Sequence, residues 1–371
     1  MVEWKKIWEV TTWDKRFSGI DKNMQPQTIK YHYYLANELT ELERQDGDIR
    51  ILYTTERIAF ADSTEVEANI SEGEVVTIPW GGNVSIKYFK GKFITADNRI
   101  ATSNDTDFLS NKYLYYWMLS QKDEIGKFYR GAGIQHPSMY KVLTFPIPIP
   151  SLSEQKRIVG ILDTFTDSIE NLKQQIAQRR KQYEHYREKL LTNVDREDTN
   201  WKELSEIADL YKGTYVTKKE SNEGAFPVVM GGQKVAYYID KYNSEGESIV
   251  ISRSGINAGY VSFWNQPIFV SDGYRIDTNE KVIKKYLFYF LKSREGQINS
   301  SKKGAGVPHI QSKYLLSILV PLPPLSEQQR IVSILDTFEA SISNLEAQLE
   351  QRQKQYEYYR NKLLSFEKEE H

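Results

Sequence analysis

The sequence "PSLSEQKRIVGILDTF" at residues 150–165 returns as "PPLSEQQRIVSILDTF" at residues 323–338. The two segments are 323 − 150 = 173 positions apart, and the match continues without a gap in both directions. Between residues 147–191 and 320–364, 30 of 45 positions are identical. Because an internal repeat determines the architecture, we interpret the chain as two copies of one unit.

The copies extend over about 4–191 and 201–364, since "EWKKIWEV" (3–10) resembles "NWKELSEI" (200–207). The offset at these starts is 197, so the first copy has 197 − 173 = 24 additional residues, which we place within about 15–75. Similarity is high in the last third of each copy and poor in the middle. This pattern predicts that the similar parts of the two copies contact the same kind of partner, whereas the divergent parts contact two different partners.

The similar part has the pattern of a long helix. From Ile158 onwards, apolar residues recur in alternating steps of four and three, which is the heptad rhythm of a coiled coil. Pro148 and Pro150 prevent an earlier start, and Ser153 with Glu154 suits an N-cap and a first turn. The second copy repeats the apolar series at Ile331, Leu335, Phe338, Ile342, Leu345, Leu349, Tyr356, Tyr359 and Leu363.

A linker of nine residues, 192–200, joins the first helix to the second copy, so the second helix is expected to run back antiparallel to the first. We predict an α+β fold with a pseudo-two-fold internal repeat, in which two globular mixed α/β heads are held apart by two long antiparallel coiled-coil helices. The predicted segments are head one 1–152, helix one 153–191, linker 192–200, head two 201–325, helix two 326–364 and tail 365–371.

The helices also repeat polar residues that lie off the apolar seam. The seam itself is best explained by packing of one helix on the other, but a merely solvated surface would have diverged between the copies. We therefore predict that this surface docks a second protein once per repeat. The residues are Glu154, Gln155, Arg157, Gln178, Lys181, Gln182 and Arg187, with their twins Glu327, Gln328, Arg330, Gln351, Lys354, Gln355 and Arg360.

Composition narrows the class of protein. The chain has no cysteine, which excludes disulfides and cysteine-ligated metals. The N-terminus lacks the apolar core of a signal peptide, and no stretch reaches the roughly 18 apolar residues of a membrane span, so we expect a soluble, cytoplasmic protein. The net charge is −1, and the largest regional excess is 16 − 12 = +4 in residues 201–325. Charge alone leaves DNA binding open.

No nucleotide-binding, hydrolase, metalloprotease or methyltransferase motif is present, and the five histidines lack ligand spacing. We therefore expect a binding protein without chemistry and without a metal site. "GAGIQH" (131–136) and "GAGVPH" (304–309) do not complete G-x-G-x-x-G, so each is interpreted as a turn. A structural hydrogen bond is the expected role of His136 and His309.

The paired "LSEQ-x-R-I-V-x-I-L-D" segments, each following a divergent region and opening a long helix, resemble the specificity subunit of type I restriction–modification enzymes. The resemblance covers essentially the whole chain. It implies that each head is a target-recognition domain for one half of a bipartite, asymmetric site in double-stranded DNA. It implies that the helices set the number of unread base pairs and bind two methyltransferase subunits.

By the same resemblance, two restriction or motor subunits complete an assembly that methylates adenine and cleaves unmodified DNA. S-adenosylmethionine, ATP and magnesium belong to those partners, so this chain is expected to hold no cofactor and to be non-catalytic by itself.

The resemblance does not identify base-reading residues, because the heads are the variable part of the family. Basic and amide side chains near strand ends and turns are candidates, since these groups pair with base edges or hold phosphates. The alternative for each is an ordinary solvated position. We nominate Lys87, Lys90, Lys92, Asn98, Arg99 and Arg130 in head one, and Lys212, Gln233, Lys234, Arg253, Asn257, Arg275, Lys302 and Lys303 in head two.

Two rival functions stay open at this level. One is a non-catalytic, two-headed adaptor that binds other proteins or glycans, which the weak basicity favours. The other is an enzyme with carboxylate chemistry, for which no sequence feature argues. A steep negative dependence of log affinity on log salt would separate DNA binding from the adaptor.

Overall fold

The structure is a computed structural model that describes residues 2–66, 69–192, 200–230, 234–304 and 306–367. The chain divides into two compact units, the first formed by residues 1–171 with 349–371 and the second by residues 172–348. Each unit holds one globular head together with parts of two long helices. We call residues 2–149 head 1 and residues 200–322 head 2.

Head 1 is built around a seven-stranded sheet of order β2-β8-β6-β7-β4-β5-β3, antiparallel except for the parallel β4–β7 pair. Its strands are β1 (Glu3–Lys6), β2 (Thr11–Trp13), β3 (Glu43–Arg44), β4 (Ile49–Leu52), β5 (Ile58–Ala61), β6 (Ser71–Pro79), β7 (Lys87–Thr95), β8 (Asn98–Ser103), β9 (Tyr129–Arg130), β10 (His136–Pro137) and β11 (Pro146–Ile149). Its helices are α1 (Ile7–Val10), α2 (Ala36–Glu41), α3 (Ser63–Val66), α4 (Asn111–Ser120), α5 (Lys122–Gly126) and α6 (Met139–Leu143).

Head 2 splits its main strands between a four-stranded antiparallel sheet, β13-β19-β16-β17, and a three-stranded sheet, β15-β14-β18, with β14 and β18 parallel. Its strands are β12 (Asn200–Glu203), β13 (Ala208–Lys212), β14 (Phe226–Val229), β15 (Tyr238–Ile239), β16 (Glu247–Ser252), β17 (Val261–Asn265), β18 (Phe269–Val270), β19 (Gly273–Thr278) and β20 (Leu319–Leu322). Its helices are α8 (Leu204–Ile207), α9 (Lys284–Ser293), α10 (Glu295–Ser300) and α11 (Ser312–Leu316). Two long helices flank head 2 in the sequence: α7 (Leu152–Thr192) precedes it and α12 (Leu325–Leu363) follows it.

Local sequence explains the elements that support both heads. Residues 75–79, the C-terminal half of β6, are apolar except for Thr77, and they are buried between β8 and β7. One amphipathic helix covers the sheet in each head: α4 buries Tyr113, Leu114 and Trp117, and α9 lies at the same offset of 173. In both heads the first strand pairs antiparallel with the last, β1 with β11 and β12 with β20.

The long helices pack antiparallel within each unit. In unit 2, Arg180 pairs with Glu346 and Tyr186 stacks on Phe338. Residue numbers along α7 therefore increase while those of the contacting residues in α12 decrease. In unit 1, Phe165 of α7 stacks on Tyr359 of α12 at 5.3 Å between ring centroids. The mixed α/β class, the two heads and the long helices of the predicted fold are confirmed, while the segment boundaries given from sequence stay a prediction.

One detail of the helix start is corrected. Helix α7 begins at Leu152, and the side chain of Ser151, not Ser153, accepts the hydrogen bond from the Glu154 backbone N–H at 3.4 Å. The twin of Ser151 is Pro324, whose carbonyl accepts from the first-turn N–H groups of α12. Both helices can start one residue earlier than expected because the proline lies before the first helical turn.

Candidate nucleic-acid interface

The turn after β6 and the β9–β10 hairpin form one surface module in head 1, which we call turn–hairpin module 1 (residues 80–86 and 129–137). The Gly82 N–H donates to the Gln135 carbonyl at 2.9 Å, and His136 Nδ1 lies 2.7 Å from the Trp80 carbonyl. The structural hydrogen bond expected for His136 is therefore confirmed. At the hairpin tip, Ile134 is 70% exposed.

Head 2 repeats this arrangement in turn–hairpin module 2 (residues 253–259 and 302–310). The Gly255 N–H donates to the Pro308 carbonyl at 3.0 Å, and the Ile310 N–H donates to the Arg253 carbonyl at 2.8 Å. Val307, the twin of Ile134, is 67% exposed. The backbone of His309 pairs with Lys303, as the backbone of His136 pairs with Arg130. The nominated residues that this module brings together are Arg253, Asn257, Lys302 and Lys303.

Three of the nominated residues of head 1 lie at the surface: Lys90, Lys92 and Arg130. Lys90 faces Glu74 across β6 and β7, with Nζ 3.4 Å from the carboxylate, and Lys92 lies opposite Glu72 in the same register. Arg130 is exposed at the base of the hairpin in module 1. Glu74 offsets the charge of Lys90, whereas Lys92 and Arg130 form no salt bridge with the described residues.

Lys87 is engaged inside head 1. Its Nζ donates to the Thr55 carbonyl at 2.9 Å and also to the Tyr53 carbonyl, and burial lowers its pKa to about 8. The ammonium group therefore ties β7 to the loop between β4 and β5, and we no longer propose it as a DNA contact.

The structure also corrects the nomination of Asn98 and Arg99, whose side chains are fully buried. Asn98 Nδ2 donates to the Leu52 carbonyl at 2.8 Å. Arg99 pairs with Asp14 at 3.1 Å and with Asp97, and burial lowers its pKa while Asp14 opposes that effect. Neither side chain can reach a ligand from this position, so we withdraw both.

An aromatic pair covers Arg99. Its guanidinium carbon lies 5.0 Å from the ring of Trp80 and 5.4 Å from that of Tyr33. The Tyr33 hydroxyl donates to Asp14 at 2.6 Å, and burial together with the Asp14 charge raises its pKa far above the usual range. Lys15 reaches the same two rings from the solvent side. This stack stiffens module 1.

In head 2, Arg275 is likewise engaged internally. It donates to the Asn243 carbonyl at 2.6 Å and to Asp277 at 2.7 Å, and its guanidinium covers the ring of Tyr211. We withdraw Arg275 as well. Lys212 at the end of β13 and Lys234 are exposed and stay proposed contacts. Gln233 lies outside the described residues.

On the long helices, Gln155 and Gln328 are buried and bound to their own heads. Gln155 accepts from the Ser110 N–H at 2.9 Å and donates to the Phe108 and Pro150 carbonyls. Gln328 repeats the pattern: it accepts from the N–H of Ile283 and donates to the carbonyls of Lys281 and Pro323. The prediction that these two glutamines bind a partner is wrong, because their amides are saturated inside each unit.

The other repeated polar residues of the helices remain at the surface. Glu154 pairs with Arg157 at 2.6 Å, and Glu327 pairs with Arg330 at 2.7 Å. The hydrogen bond from Arg157 lowers the pKa of Glu154. Gln178, Lys181, Gln182, Gln351 and Lys354 are exposed, Gln355 is half-buried, and Arg187 and Arg360 cover the rings of Tyr183 and Tyr356.

In unit 2 the helices line a groove of about 470 Å³, and two of these residues, Gln182 and Arg330, contribute to its lining. Arg179 covers the ring of Phe338 at 5.8 Å, and Tyr186 stacks on that ring with centroids 5.4 Å apart. In unit 1 the twin Arg352 covers Phe165 at 5.7 Å. Each unit therefore presents the same arginine–aromatic surface.

Sequence reasoning missed Trp80, Asp272 and the two exposed hairpin tips. Their signal was present, because Trp80 immediately precedes the Gly81–Gly82 turn and the tips lie inside the repeated "GAG" segments. Among the residues that the structure describes, no group of three or more His, Cys, Asp or Glu side chains is placed to hold a metal ion. Within the same residues, no helix has the length and apolar content to span a bilayer.

Comparison with known proteins identifies the family. Residues 15–179 and 196–353 match the model of the type I restriction modification DNA specificity domain. A putative type I restriction enzyme specificity subunit from Haemophilus influenzae is 33% identical over 336 residues, covering 81% of this chain and 85% of that protein. The EcoR124I/EcoR124II specificity subunit of Escherichia coli is 31% identical over 315 residues, covering 76% of this chain and 77% of that protein.

The chain therefore belongs to the family of type I restriction–modification specificity subunits, as the sequence resemblance predicted. A solved structure supports the fold: the type I restriction–modification S subunit from M. genitalium matches with a TM-score of 0.73 at 19% identity, over 99% of this chain and 97% of that one.

Proposed function

We propose that each head reads one half of a bipartite, asymmetric DNA site, while the helices set the gap between the halves and dock two methyltransferase subunits. One observation carries this proposal: two copies of a DNA specificity domain share their supporting elements but differ in sheet architecture and in the side chains of their turn–hairpin modules. Two heads with the same supporting elements but different turn–hairpin modules suit two different half-sites.

The DNA contacts that we propose are those that the structure leaves accessible. In head 1 they are Lys90, Lys92 and Arg130, and in head 2 they are Lys212, Lys234, Arg253, Asn257, Lys302 and Lys303. Lysines contribute phosphate contacts that orient the duplex, whereas arginine and asparagine have the paired groups that discriminate bases. The relationship of this chain to specificity subunits also supports the proposal that it is non-catalytic by itself and that partner subunits bind S-adenosylmethionine, ATP and magnesium.

Mapping of methylated adenines tests the DNA proposal. The full chain is expressed together with its neighbouring methyltransferase subunit, and host DNA is sequenced by a long-read method. We expect a motif with two unlike halves and a fixed gap, which disappears when this chain is omitted. An active methyltransferase complex that gives no motif would contradict the proposal and favour the adaptor alternative.

We also propose that one methyltransferase subunit docks on the arginine–aromatic surface of each unit. Two twin surfaces imply two equivalent partners, and their exposed amides and cations suit a polar rim around an aromatic centre. The proposed contacts are Glu154, Arg157, Gln178, Lys181, Gln182 and Arg187 with their twins Glu327, Arg330, Gln351, Lys354, Gln355 and Arg360, and the aromatic centres are Phe338 with Tyr186 and Phe165 with Tyr359.

Charge reversal tests this docking surface. Lys181→Glu with Gln182→Glu should remove one of two bound methyltransferase subunits, and the matched Lys354→Glu with Gln355→Glu should remove the other. All four together should abolish the complex. The measurement is the mass of the complex by light scattering, with circular dichroism of the free chain as the folding control. Full-size complexes from the quadruple variant would rule out this surface.

A further inference from the structure

The two turn–hairpin modules place different side chains at one structural position. Trp80 follows the last residue of β6 and Arg253 follows the last residue of β16, at the repeat offset of 173. The carbonyl of each residue is hydrogen-bonded by its hairpin, and the glycine two positions later donates to the same hairpin. Because the backbone is held alike in both heads, the chemical difference between the modules lies in the side chains.

The residue that pairs with this position is an aspartate in both heads. The Trp80 N–H donates to the Asp97 carbonyl at 3.0 Å and the Arg253 N–H donates to the Asp272 carbonyl at 3.2 Å, so Asp97 and Asp272 are equivalent. In head 1 the buried Arg99 packs under the ring of Trp80. In head 2 the Asp272 carboxylate accepts from Arg253 Nε at 2.9 Å and from the Ser254 hydroxyl. Head 1 therefore presents an indole at its surface, whereas head 2 presents a guanidinium held by a carboxylate.

The geometry of Arg253 suits a base-reading side chain. Asp272 engages the Nε edge, and among the described residues neither terminal nitrogen of the guanidinium has a hydrogen-bond partner. The side chain is 33% exposed, so those donors are accessible. Two parallel N–H groups match O6 and N7 of guanine in the major groove, and a side chain already fixed in its bound geometry loses less conformational entropy.

We propose that Arg253 reads a guanine in the half-site of head 2, with Asp272 as its positioning residue, and that head 1 reads no guanine from the equivalent position because Trp80 occupies it. This inference rests on the proposed function and adds the base class to one of its contacts. Asn257, Lys302 and Lys303 in the same module supply the surrounding polar and phosphate contacts.

Methylation mapping of variants tests the inference with the full chain in complex with its methyltransferase subunit, on host genomic DNA. In Arg253→Ala and Arg253→Lys, discrimination for guanine at one base pair of one half-site should fall by about 10–100-fold. The other half-site should be unchanged. Asp272→Asn should relax the same base pair while the melting temperature of the chain stays close to wild type, which a merely structural role would not produce.

Lys303→Ala is the matched control within the module. It should weaken binding to all sequences alike and reduce the salt slope by about 1, without changing the motif. A wild-type complex without a bipartite motif would contradict the proposed function. A clear wild-type motif that Arg253→Ala leaves unchanged would overturn only the assignment of Arg253.

A measurement on the wild-type complex keeps the test decisive if a variant does not fold. Duplexes carrying the mapped motif are made with 7-deazaguanine at one guanine at a time, which removes the N7 acceptor. One such guanine in the head 2 half-site should cost about 10-fold in affinity, and Arg253→Ala should bind that duplex and its unmodified counterpart equally. Insensitivity at every guanine, or a motif without guanine in either half-site, would overturn the proposal.

Discussion

Arg99→Met is expected to lower the free energy of unfolding of head 1 by about 3–5 kcal/mol, because it leaves the Asp14 carboxylate buried without its cation. The loss is large since both side chains of the pair are shielded from solvent. Asp14 would keep its hydrogen bonds from the Tyr33 hydroxyl and the Ile100 N–H, which limits the cost. Urea denaturation followed by hydrogen exchange resolves the two heads.

The control is Arg253→Met in head 2, where the Arg253–Asp272 pair is partly exposed. Its cost should be about 1 kcal/mol, because water can solvate the remaining carboxylate. Peptides from β8 should therefore lose protection in the first variant, while peptides from β19 keep it. A loss below about 1 kcal/mol for Arg99→Met would show that water reaches Asp14.

Gln155→Leu should destabilise head 1 by about 2–4 kcal/mol, and Gln328→Leu should do the same to head 2. Each leucine fills the space but leaves a buried N–H and buried carbonyls without a partner, and such orphaned groups cost about 1–3 kcal/mol each. Hydrogen exchange of the two heads is again the measurement.

Each of these variants is the control for the other. Gln155→Leu should expose peptides of α4 and spare those of α9, and Gln328→Leu should give the reverse. Equal loss of protection in both heads from either variant would contradict the view that each glutamine serves only its own head. Gln→Glu at the same sites should be at least as harmful, because it adds a buried charge.

The helical part of the fold was predictable because its information is local. The heptad pattern and the flanking prolines predicted the two long helices α7 and α12, and the short linker indicated their antiparallel arrangement. The seven-stranded sheet of head 1 could not be predicted in this way, since its order joins strands that are far apart in sequence, such as β4 with β7.

The site was less predictable than the fold, and Arg99 shows why. Residue type alone nominates an arginine next to a turn, but its burial under Trp80 depends on tertiary packing. Gln155 and Gln328 show a different failure: repetition indicates a repeated neighbour, and it does not say whether that neighbour is a partner protein or the chain's own head. Arg253 was nominated by type, whereas its orientation by Asp272 required the structure.

The pairing of β1 with β11 and of β12 with β20 has an evolutionary consequence. In each head the chain enters and leaves through two adjacent, paired strands, so the rest of the head lies between two neighbouring points of one small sheet. Recombination with both crossovers in these strands would replace a whole head and leave both long helices intact. Under the proposed function, a lineage could thus acquire a new DNA preference in a single genetic event.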